Sequence, residues 1–460
     1  MASSREILLA KIRGKEQMTT GEKLRLALML AVPAMLAQLS TVLMSYIDAS
    51  MVGSLGAGPS ASIGLVSTST WIFGGFCMAT TYGFSVQVAH FIGNNDFKAA
   101  RNVLRQGLVT CLLFSILMAA VGLSIGNRLP GWLGGRGDIC PDASAYFMIY
   151  AAFIPAMQMV FTCGAMLQAS GNMKVPSILN VVMCVLDVVF NYIFIFRLDM
   201  GVKGASLGTG LSELVAALLM LYFLTVRSKE LNLFQDSGSF VPTGDSLKKA
   251  FGIVGPMWLQ NIVMRGAHVM STIIVAPLGN VAIAANIFAI TAESFCYMPG
   301  YGLQEATTTL TGQSLGAKRK ELASSFAKIS ISLGASIMTV LGVVMYFTSS
   351  FLMGMLSQDP DVVALGAKVL KIEAFAEMMY AVSMVAYGAC VGAGDTLVPS
   401  LMNLLSMWVV RIGLALILTP RLGLQGYWIA MCVELNVRGL LFIFHMKNGR
   451  WMSKFSVAKT

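Results

Sequence analysis

Carboxylates that stand alone in long apolar stretches are the residues of this sequence best suited to chemistry. Asp48 lies in AMLAQLSTVLMSYIDASMVG, with no basic residue within one helical turn. A charge inside lipid is costly, so ionisable residues there are default functional candidates. Such a carboxylate could take up and release a proton near neutral pH. The alternative is a wet, structural aspartate near a helix end. We take Asp48 as the first candidate for binding a cation.

Asp187 and Asn191, in VLDVVFNYIF, form a second candidate pair. They are four residues apart, which places them on one face of a helix. A carboxylate and an amide on one face could coordinate a proton, Na⁺ or a bridging water. A polar contact between membrane helices would use the same residues. Both readings stay open.

The second half of the chain has its own acids. In KIEAFAEMMY, we expect Glu373 to form an ion pair with the nearby Lys371 at the outer end of a helix. Glu377 lies deeper and is the stronger functional candidate. Glu293, in TAESFCYMPGYG, is also mid-helix without an adjacent partner.

Cations in the second half could neutralise some of these acids. Arg265 and Arg411 are available for this, although the sequence does not say which pairs form. Glu434 and Arg438 are four apart, which predicts a structural pair on the last helix. We also place Thr209 among the residues that line a substrate cleft.

Features of enzymes and of metalloproteins are missing from the sequence. It contains no recognisable catalytic dyad, metal motif or phosphate loop. The eight cysteines form no CxxC pair, and the three histidines are far apart. We therefore expect buried, inert thiols, no cofactor and no metal site. A Na⁺ ion near Asp48 or Glu377 is the one exception.

The composition is that of a membrane protein. Of 460 residues, 56% are hydrophobic and 12% charged, and soluble domains carry roughly twice that charged share. A spanning helix needs about 20 mostly apolar residues. The runs of that kind are 26–52, 62–92, 101–126, 143–169, 174–196, 203–226, 250–278, 282–314, 325–354, 362–391, 397–419 and 424–446. The sequence predicts an all-α polytopic membrane protein with twelve transmembrane helices.

Basic residues predict the orientation. The first 25 residues are polar and contain six cations, and the apolar run that follows is too long for a signal peptide. With both termini in the cytoplasm, most lysines and arginines fall in inside loops, which is the positive-inside pattern. This placement accounts for the net charge of +10 through anionic lipid rather than nucleic acid. We expect a multi-pass protein of the cell (inner or plasma) membrane.

The sequence repeats itself at an offset of 223 residues, and such a constant offset is a strong architectural signal. Landmarks that coincide are Pro33 with Pro256, Gly56 with Gly279, Gly93 with Gly316, and GNMKVPSILN (171–180) with GDTLVPSLMN (394–403). Six helices per copy make the repeats parallel, so the halves could rock around a central cavity.

This organisation predicts five segments. They are a cytoplasmic N-terminal segment (1–25), an N-terminal six-helix lobe (26–227), a cytoplasmic linker (228–247), a C-terminal six-helix lobe (248–447) and a cytoplasmic tail (448–460).

The chain resembles the multidrug and toxic compound extrusion (MATE) transporters from about residue 24 to 451. The resemblance lies in the first-helix proline and aspartate followed by VGSLG, in MPGYG before GQSLGA, in the late GAGDT, and in the C-terminal MWVVRIGLAL, LGLQGYWIAM and NGRW. It implies two lobes around a central cleft, and efflux of drugs or organic cations driven by H⁺ or Na⁺.

The resemblance also suggests residue roles. Asp48 matches the carboxylate implicated in cation coupling, and Pro33 matches a proline associated with helix bending. Some members have Asn then Asp in the fifth helix, whereas this chain has Asp187 then Asn191. Where some members carry a seventh-helix carboxylate, this chain has Gln260 or Met264, which weakens the case for a Na⁺ site of the known kind there.

Our leading hypothesis is a monomeric antiporter that exports small cationic or amphipathic molecules by alternating access, with H⁺ preferred and Na⁺ second. Asp48, Asp187 and Asn191 would couple the cation, and Pro33 and Pro256 would serve conformational change. The alternative is a flippase for lipid-linked precursors, which would need cations in its cavity for phosphates.

Overall fold

The computed structural model of the chain describes residues 4–135, 137 and 139–453, and these ranges contain helices but no strand. The α-helices are α1 Ser4–Arg13, α2 Thr20–Gly53, α3 Ala57–Gly93, α4 Phe97–Ile125, α5 Leu129–Trp132, α6 Ile139–Ala169, α7 Lys174–Asn191, α8 Gly201–Tyr222, α9 Gly244–Val275, α10 Asn280–Gly316, α11 Lys320–Leu356, α12 Pro360–Glu373, α13 Glu377–Gly392, α14 Leu397–Leu405, α15 Gly413–Leu422 and α16 Leu424–Lys447.

Wider π-helical turns extend three of these helices. They are Tyr192–Arg197 after α7, Phe223–Arg227 after α8, and Ser406–Ile412 between α14 and α15. Two short 3₁₀ helices, Ala276–Leu278 and Arg450–Ser453, complete the described structure.

Eleven helices in the described part of the chain are long and apolar enough to cross a membrane, and a bent pair adds a twelfth span. The predicted all-α polytopic fold is thereby confirmed. The tenth predicted run, 362–391, is the bent pair, since α12 and α13 meet at 59°. No Pro or Gly lies in the break, 374–376. There the amide of Ala376 bonds to the carbonyl of Glu373 at 2.7 Å, and this short turn interrupts the helical ladder.

The chain packs into two compact units. Unit 1 contains Met1–Gln38 and Leu259–Thr460, and unit 2 contains Leu39–Trp258. The division therefore falls inside α2 and inside α9. Of the predicted tail, residues 454–460 lie outside the described residues, as do residues 1–3 of the N-terminal segment. The predicted segment boundaries stay predictions.

The repeat is visible in the backbone. At an offset of 223 residues, the first residues of α4 and α11, of α7 and α14, and of α8 and α16 coincide. Turns coincide as well: φ is 114° at Gly56 and 93° at Gly279, the residues that cap α3 and α10. With ψ of 178° and 172°, both positions lie in a region that is essentially restricted to glycine.

The segment between the halves is docked rather than free. Leu231 is fully buried. Asp236 accepts hydrogen bonds from Arg101 Nε at 2.7 Å and from Arg105 Nη2 at 2.9 Å, both on α4. Arg105 Nη2 also donates to the carbonyl of Leu233 at 2.9 Å. This part of the predicted linker therefore folds onto unit 2.

Candidate functional site

In unit 2, Asp48, Asp187 and Asn191 come together from α2 and α7. Asn191 Nδ2 donates to Asp48 Oδ1 at 3.0 Å and to Asp187 Oδ2 at 3.2 Å. Asp187 and Asn191 are almost fully buried, at 0% and 1% exposure, while Asp48 is half-buried. The sequence predicted these three residues as one functional set, and the structure brings them into direct contact.

The neighbouring helix α8 is shaped to hold this cluster. Gly204 and Gly208 lie four residues apart on one face of α8 and meet the chain at Phe194 and Asn191, respectively. A Cβ at Gly208 would overlap Asn191 Oδ1 and lie 2.9 Å from the Asn191 backbone nitrogen. Small residues at this spacing let membrane helices approach closely. The same helix brings Thr209 and Ser212 beside Asp187.

Two further side chains belong to the surroundings of the cluster. Glu213, one turn after Thr209, lies within electrostatic range of Asp187. Tyr146 of α6 lies within range of Asp48, Asp187 and Glu213. Sequence reasoning had picked out Asp48, Asp187 and Thr209, but the contribution of Tyr146 follows only from the packing of α6 against α8.

The cluster retains unused acceptors. Asp187 Oδ1 and Asn191 Oδ1 are buried and have no hydrogen-bond partner. Buried polar atoms in proteins are nearly always paired, so each exception calls for an explanation. A carboxylate oxygen such as Asp187 Oδ1 can take up a proton, and carboxylate and amide oxygens can both coordinate a hard cation such as Na⁺.

In unit 1, Glu293, Glu373, Glu377 and Glu434 are buried, and two of them, Glu373 and Glu377, flank the break between α12 and α13. Glu373 and Glu377 end and begin these helices, and Glu293 lies on α10. All four carboxylate oxygens of Glu373 and Glu377 are buried without a hydrogen-bond partner.

The expected ion pair of Glu373 with Lys371 is wrong. The Lys371 ammonium lies over the Tyr346 ring, 5.6 Å from its centroid. Residues two apart in a helix do not face each other, so Glu373 turns into the protein. Sequence reasoning placed Glu373 in an ion pair at a helix end, and only the three-dimensional packing shows that it is buried.

Arg411 pairs with a different acid, Glu434. Glu434 accepts from Arg411 Nη2 at 2.7 Å and from Arg438 Nε at 2.7 Å, and Ser406 donates to Glu434 Oε1. The structural pair of Glu434 with Arg438 is thus present, and Arg411 joins it from the π-helical segment 406–412. Two guanidinium groups around one fully buried carboxylate give this cluster a net positive charge.

The other predicted residues are distributed as follows. Gln260, Met264 and Arg265 lie on the part of α9 in unit 1, where Gln260 accepts from the Tyr387 hydroxyl at 3.4 Å. Pro33 and Pro256 lie inside α2 and α9, respectively. A proline there removes one helical hydrogen bond. Of the cleft candidates, Thr209 belongs to unit 2, and the other five, Glu293, Glu377, Gln260, Met264 and Arg265, belong to unit 1.

Comparison with known proteins places this architecture among transporters. The model of the MatE family matches residues 33–193 and 256–417. The two stretches begin 223 residues apart, which is the offset of the internal repeat, and together they cover well over half of the chain.

Curated relatives match along almost the whole length. The chain is 25% identical to "Probable multidrug resistance protein NorM" of Thermotoga maritima over 429 residues, 92% of each chain. It is 23% identical to "Multidrug resistance protein MdtK" of Yersinia pestis, over 94% of this chain and 96% of that protein.

Solved structures share the fold. A MATE protein in complex with MaD3S superimposes with a TM-score of 0.88 at 20% identity, over 97% of this chain and 99% of the other. A MOP superfamily transporter from Pyrococcus furiosus gives 0.88 at 19% identity, with the same coverage.

Proposed function

Because the chain belongs to the MatE family of membrane transporters, we propose that it is a cation-coupled antiporter that exports drugs or small organic cations. It is a transporter and not an enzyme. The curated relatives are named as multidrug resistance proteins, which supports small-molecule substrates of this kind for this chain. Export against a gradient needs a coupled driving force, and the buried acids supply groups that can bind a cation.

The contact of Asp48, Asn191 and Asp187 carries the proposal. Two carboxylates that share one amide donor repel each other when both are ionised. A proton or Na⁺ bound between them relieves this repulsion, so occupancy of the site and the packing of α2 against α7 are linked. H⁺ is the preferred coupling ion, since it needs one acceptor lone pair rather than a full coordination shell.

The acids of unit 1 fit the substrate side of this scheme. Buried carboxylates at Glu293, Glu373 and Glu377 attract a cation, and Gln260, Met264 and Arg265 lie in the same unit. We assign these residues to substrate binding. We assign alternating access to a movement of the two halves of the repeat, with Pro33 and Pro256 as the positions where helices can bend. Both termini are assigned to the cytoplasm by the distribution of basic residues.

The flippase alternative is not favoured. The curated relatives are named as multidrug resistance proteins, and Arg411, one of the two cations considered for phosphate binding, is paired with Glu434.

Transport into proteoliposomes tests the coupling. With ethidium as the probe, we expect uptake driven by an imposed pH gradient, which for one-to-one exchange concentrates substrate about tenfold per pH unit. The variants Asp48→Asn and Asp187→Asn should abolish this accumulation while ethidium binding is retained.

The matched control is Asp245→Asn, because Asp245 is 74% exposed and pairs with Lys249 one turn away. Its transport should equal that of the wild type. Undiminished pH-driven uptake by Asp48→Asn would overturn the assignment of the site. Uptake driven by a Na⁺ gradient alone, with the same dependence on Asp48, would replace H⁺ with Na⁺.

A further inference from the structure

A group of soft and hard ligands lies apart from the buried acids, in the turn between α13 and α14. It consists of Cys390 on α13, Asp395 in the turn, and His445 near the end of α16. The sulfur, one carboxylate oxygen and one imidazole nitrogen all lie within 4.8 Å of one another. His445 Nε2 and Asp395 Oδ2 are 2.8 Å apart.

We propose that Cys390, Asp395 and His445 form a zinc site that fastens the turn after α13 to the end of α16. His445 lies 50 residues after Asp395 in the sequence, which is why the expectation of inert thiols and no metal site did not anticipate this group. The proposal is independent of the transport activity, since it concerns a different end of unit 1.

The ligand set selects the ion. Thiolate, imidazole and carboxylate are the three side-chain types that bind Zn²⁺, at about 2.0–2.3 Å in tetrahedral geometry. Two ligands of one such ion lie about 3.3–3.8 Å apart. Here the shortest separation must open slightly and the longest must close by about 1 Å, which side-chain rotation provides. A carboxylate disfavours copper(I), which prefers purely sulfur ligands.

The backbone holds the ligands in place. Gly394 has a φ of 74°, and this left-handed turn reverses the chain directly after α13. The amide of Asp395 then donates to the carbonyl of Cys390 at 2.9 Å. This hydrogen bond returns the aspartate toward the cysteine without help from an ion.

The walls and the opening also suit a metal. Cys390 and Asp395 are buried, and the His445 side chain is 13% exposed, so the site is reached from the side of the histidine. Trp451 belongs to the same buried apolar cluster as Cys390. Met446 Sδ lies 3.8 Å from Cys390 Sγ, so either this thioether or a water can complete four-coordination. On binding, the Cys390 thiol loses its proton to solvent, and nothing is oxidised or reduced.

Metal binding to the full chain tests the proposal. The protein is purified in detergent through a tag without histidine, stripped with a chelator, and titrated with Zn²⁺ and with Co²⁺. We expect one ion per chain and, with Co²⁺, a near-ultraviolet absorption band from thiolate-to-cobalt charge transfer. Zn²⁺ should also raise the unfolding temperature of the wild type.

The variants separate the ligands from the background. Cys390→Ser should abolish the charge-transfer band, and His445→Gln should weaken Zn²⁺ binding by more than about tenfold, the lower limit found even for outer-shell partners. Cys432→Ser is the control, because Cys432 lies on α16 outside this group. A wild type that binds less than one Zn²⁺ per chain, or a Cys390→Ser variant that keeps the band, would refute the site. The wild-type titration decides the matter even if a variant fails to fold.

Discussion

Gly208 sets the distance between α8 and the amide of Asn191. Any side chain larger than hydrogen at this position would overlap Asn191 Oδ1. The donor that joins Asp48 to Asp187 would then have to shift. The geometry of the proposed cation site thus depends on a residue with no chemistry of its own.

We expect Gly208→Ala to lower stability by about 1–3 kcal/mol, the usual cost of overpacking, and to reduce Asp48-dependent transport. The measurements are thermal unfolding in detergent and pH-driven ethidium uptake. Gly164→Ala is the matched control, since the nearest atom to its Cβ would be Met220 Sδ at 3.7 Å, an ordinary contact. Equal behaviour of the two variants would contradict the steric argument.

At this scale, the sequence singled out the acids of unit 2 but predicted neither the burial of Glu373 nor the partners of the arginines. Asp48, Asp187 and Asn191 were recognisable because each lies in an apolar run and two share a helix face. The pairing of Arg411 with Glu434 could not be recognised in the same way, because the two residues are 23 apart in sequence and no local pattern links them. Such pairs depend on how the helices pack.

Among the elements, the segment 228–243 is held to α4 in part by one carboxylate, that of Asp236. Hydrogen bonding from Arg101, and then from Arg105, holds the pKa of Asp236 below its ordinary value. A carboxyl whose pKa is lowered by folding stabilises the folded form above its ordinary pKa and ceases to do so as the pH falls through the lowered value. The segment should therefore be docked at neutral pH and released in acid.

Asp236→Asn at pH 7 should accelerate amide exchange in 231–240 by roughly 10- to 150-fold, since hydrogen bonds to charged groups contribute about 1.5–3 kcal/mol. Hydrogen exchange with mass spectrometry measures this, with Asp245→Asn as the control. Below the lowered pKa the wild type is protonated too, so the difference between it and Asp236→Asn should vanish. A difference that persists in acid would show that the charge is not what docks the segment.

The helix bounds were largely predictable because a spanning helix needs a long apolar run, and such runs are visible without knowledge of packing. The docking of Leu231 was not, since 228–247 is polar in composition. The break at 374–376 was hidden for another reason: AFA contains neither Pro nor Gly, so the run from 362 to 391 is continuous in sequence.

Across the whole molecule, backbone turns recur between the two halves of the repeat, whereas buried ionisable residues do not. The positive φ at Gly56 recurs at Gly279, and that of Asn95 recurs at Lys318. Buried charge does not recur: Asp48 falls opposite Ser271, and Asp187 opposite Val410. The repeat thus preserves turns, while each half has its own ionisable residues.

The twin turns should be energetically equivalent. Neither Gly56 nor Gly279 has an atom within 4 Å of where a Cβ would stand, so substitution by alanine introduces only backbone strain. We expect Gly56→Ala and Gly279→Ala each to lower stability by about 1–3 kcal/mol, and the double variant to lose roughly the sum.

Thermal unfolding in detergent measures these losses. Gly252→Ala is the control, and we expect it to raise stability rather than lower it. Gly252 also has open space around it, but it lies within α9, where alanine is favoured over glycine by up to about 1 kcal/mol. Markedly unequal losses at Gly56 and Gly279 would show that the two halves use these turns differently.

The bent tenth span has a consequence for biosynthesis. Its two parts contain 14 and 16 residues, and each is shorter than the roughly 20 residues that cross a bilayer unaided. Glu373 and Glu377 lie on either side of the break, and a carboxylate inside the membrane costs roughly 3 kcal/mol during insertion. We therefore expect this span to insert less readily than an unbroken helix. Packing against α10 and α11, which are synthesised before it, would assist its entry, so the order of synthesis is part of how the finished fold is reached.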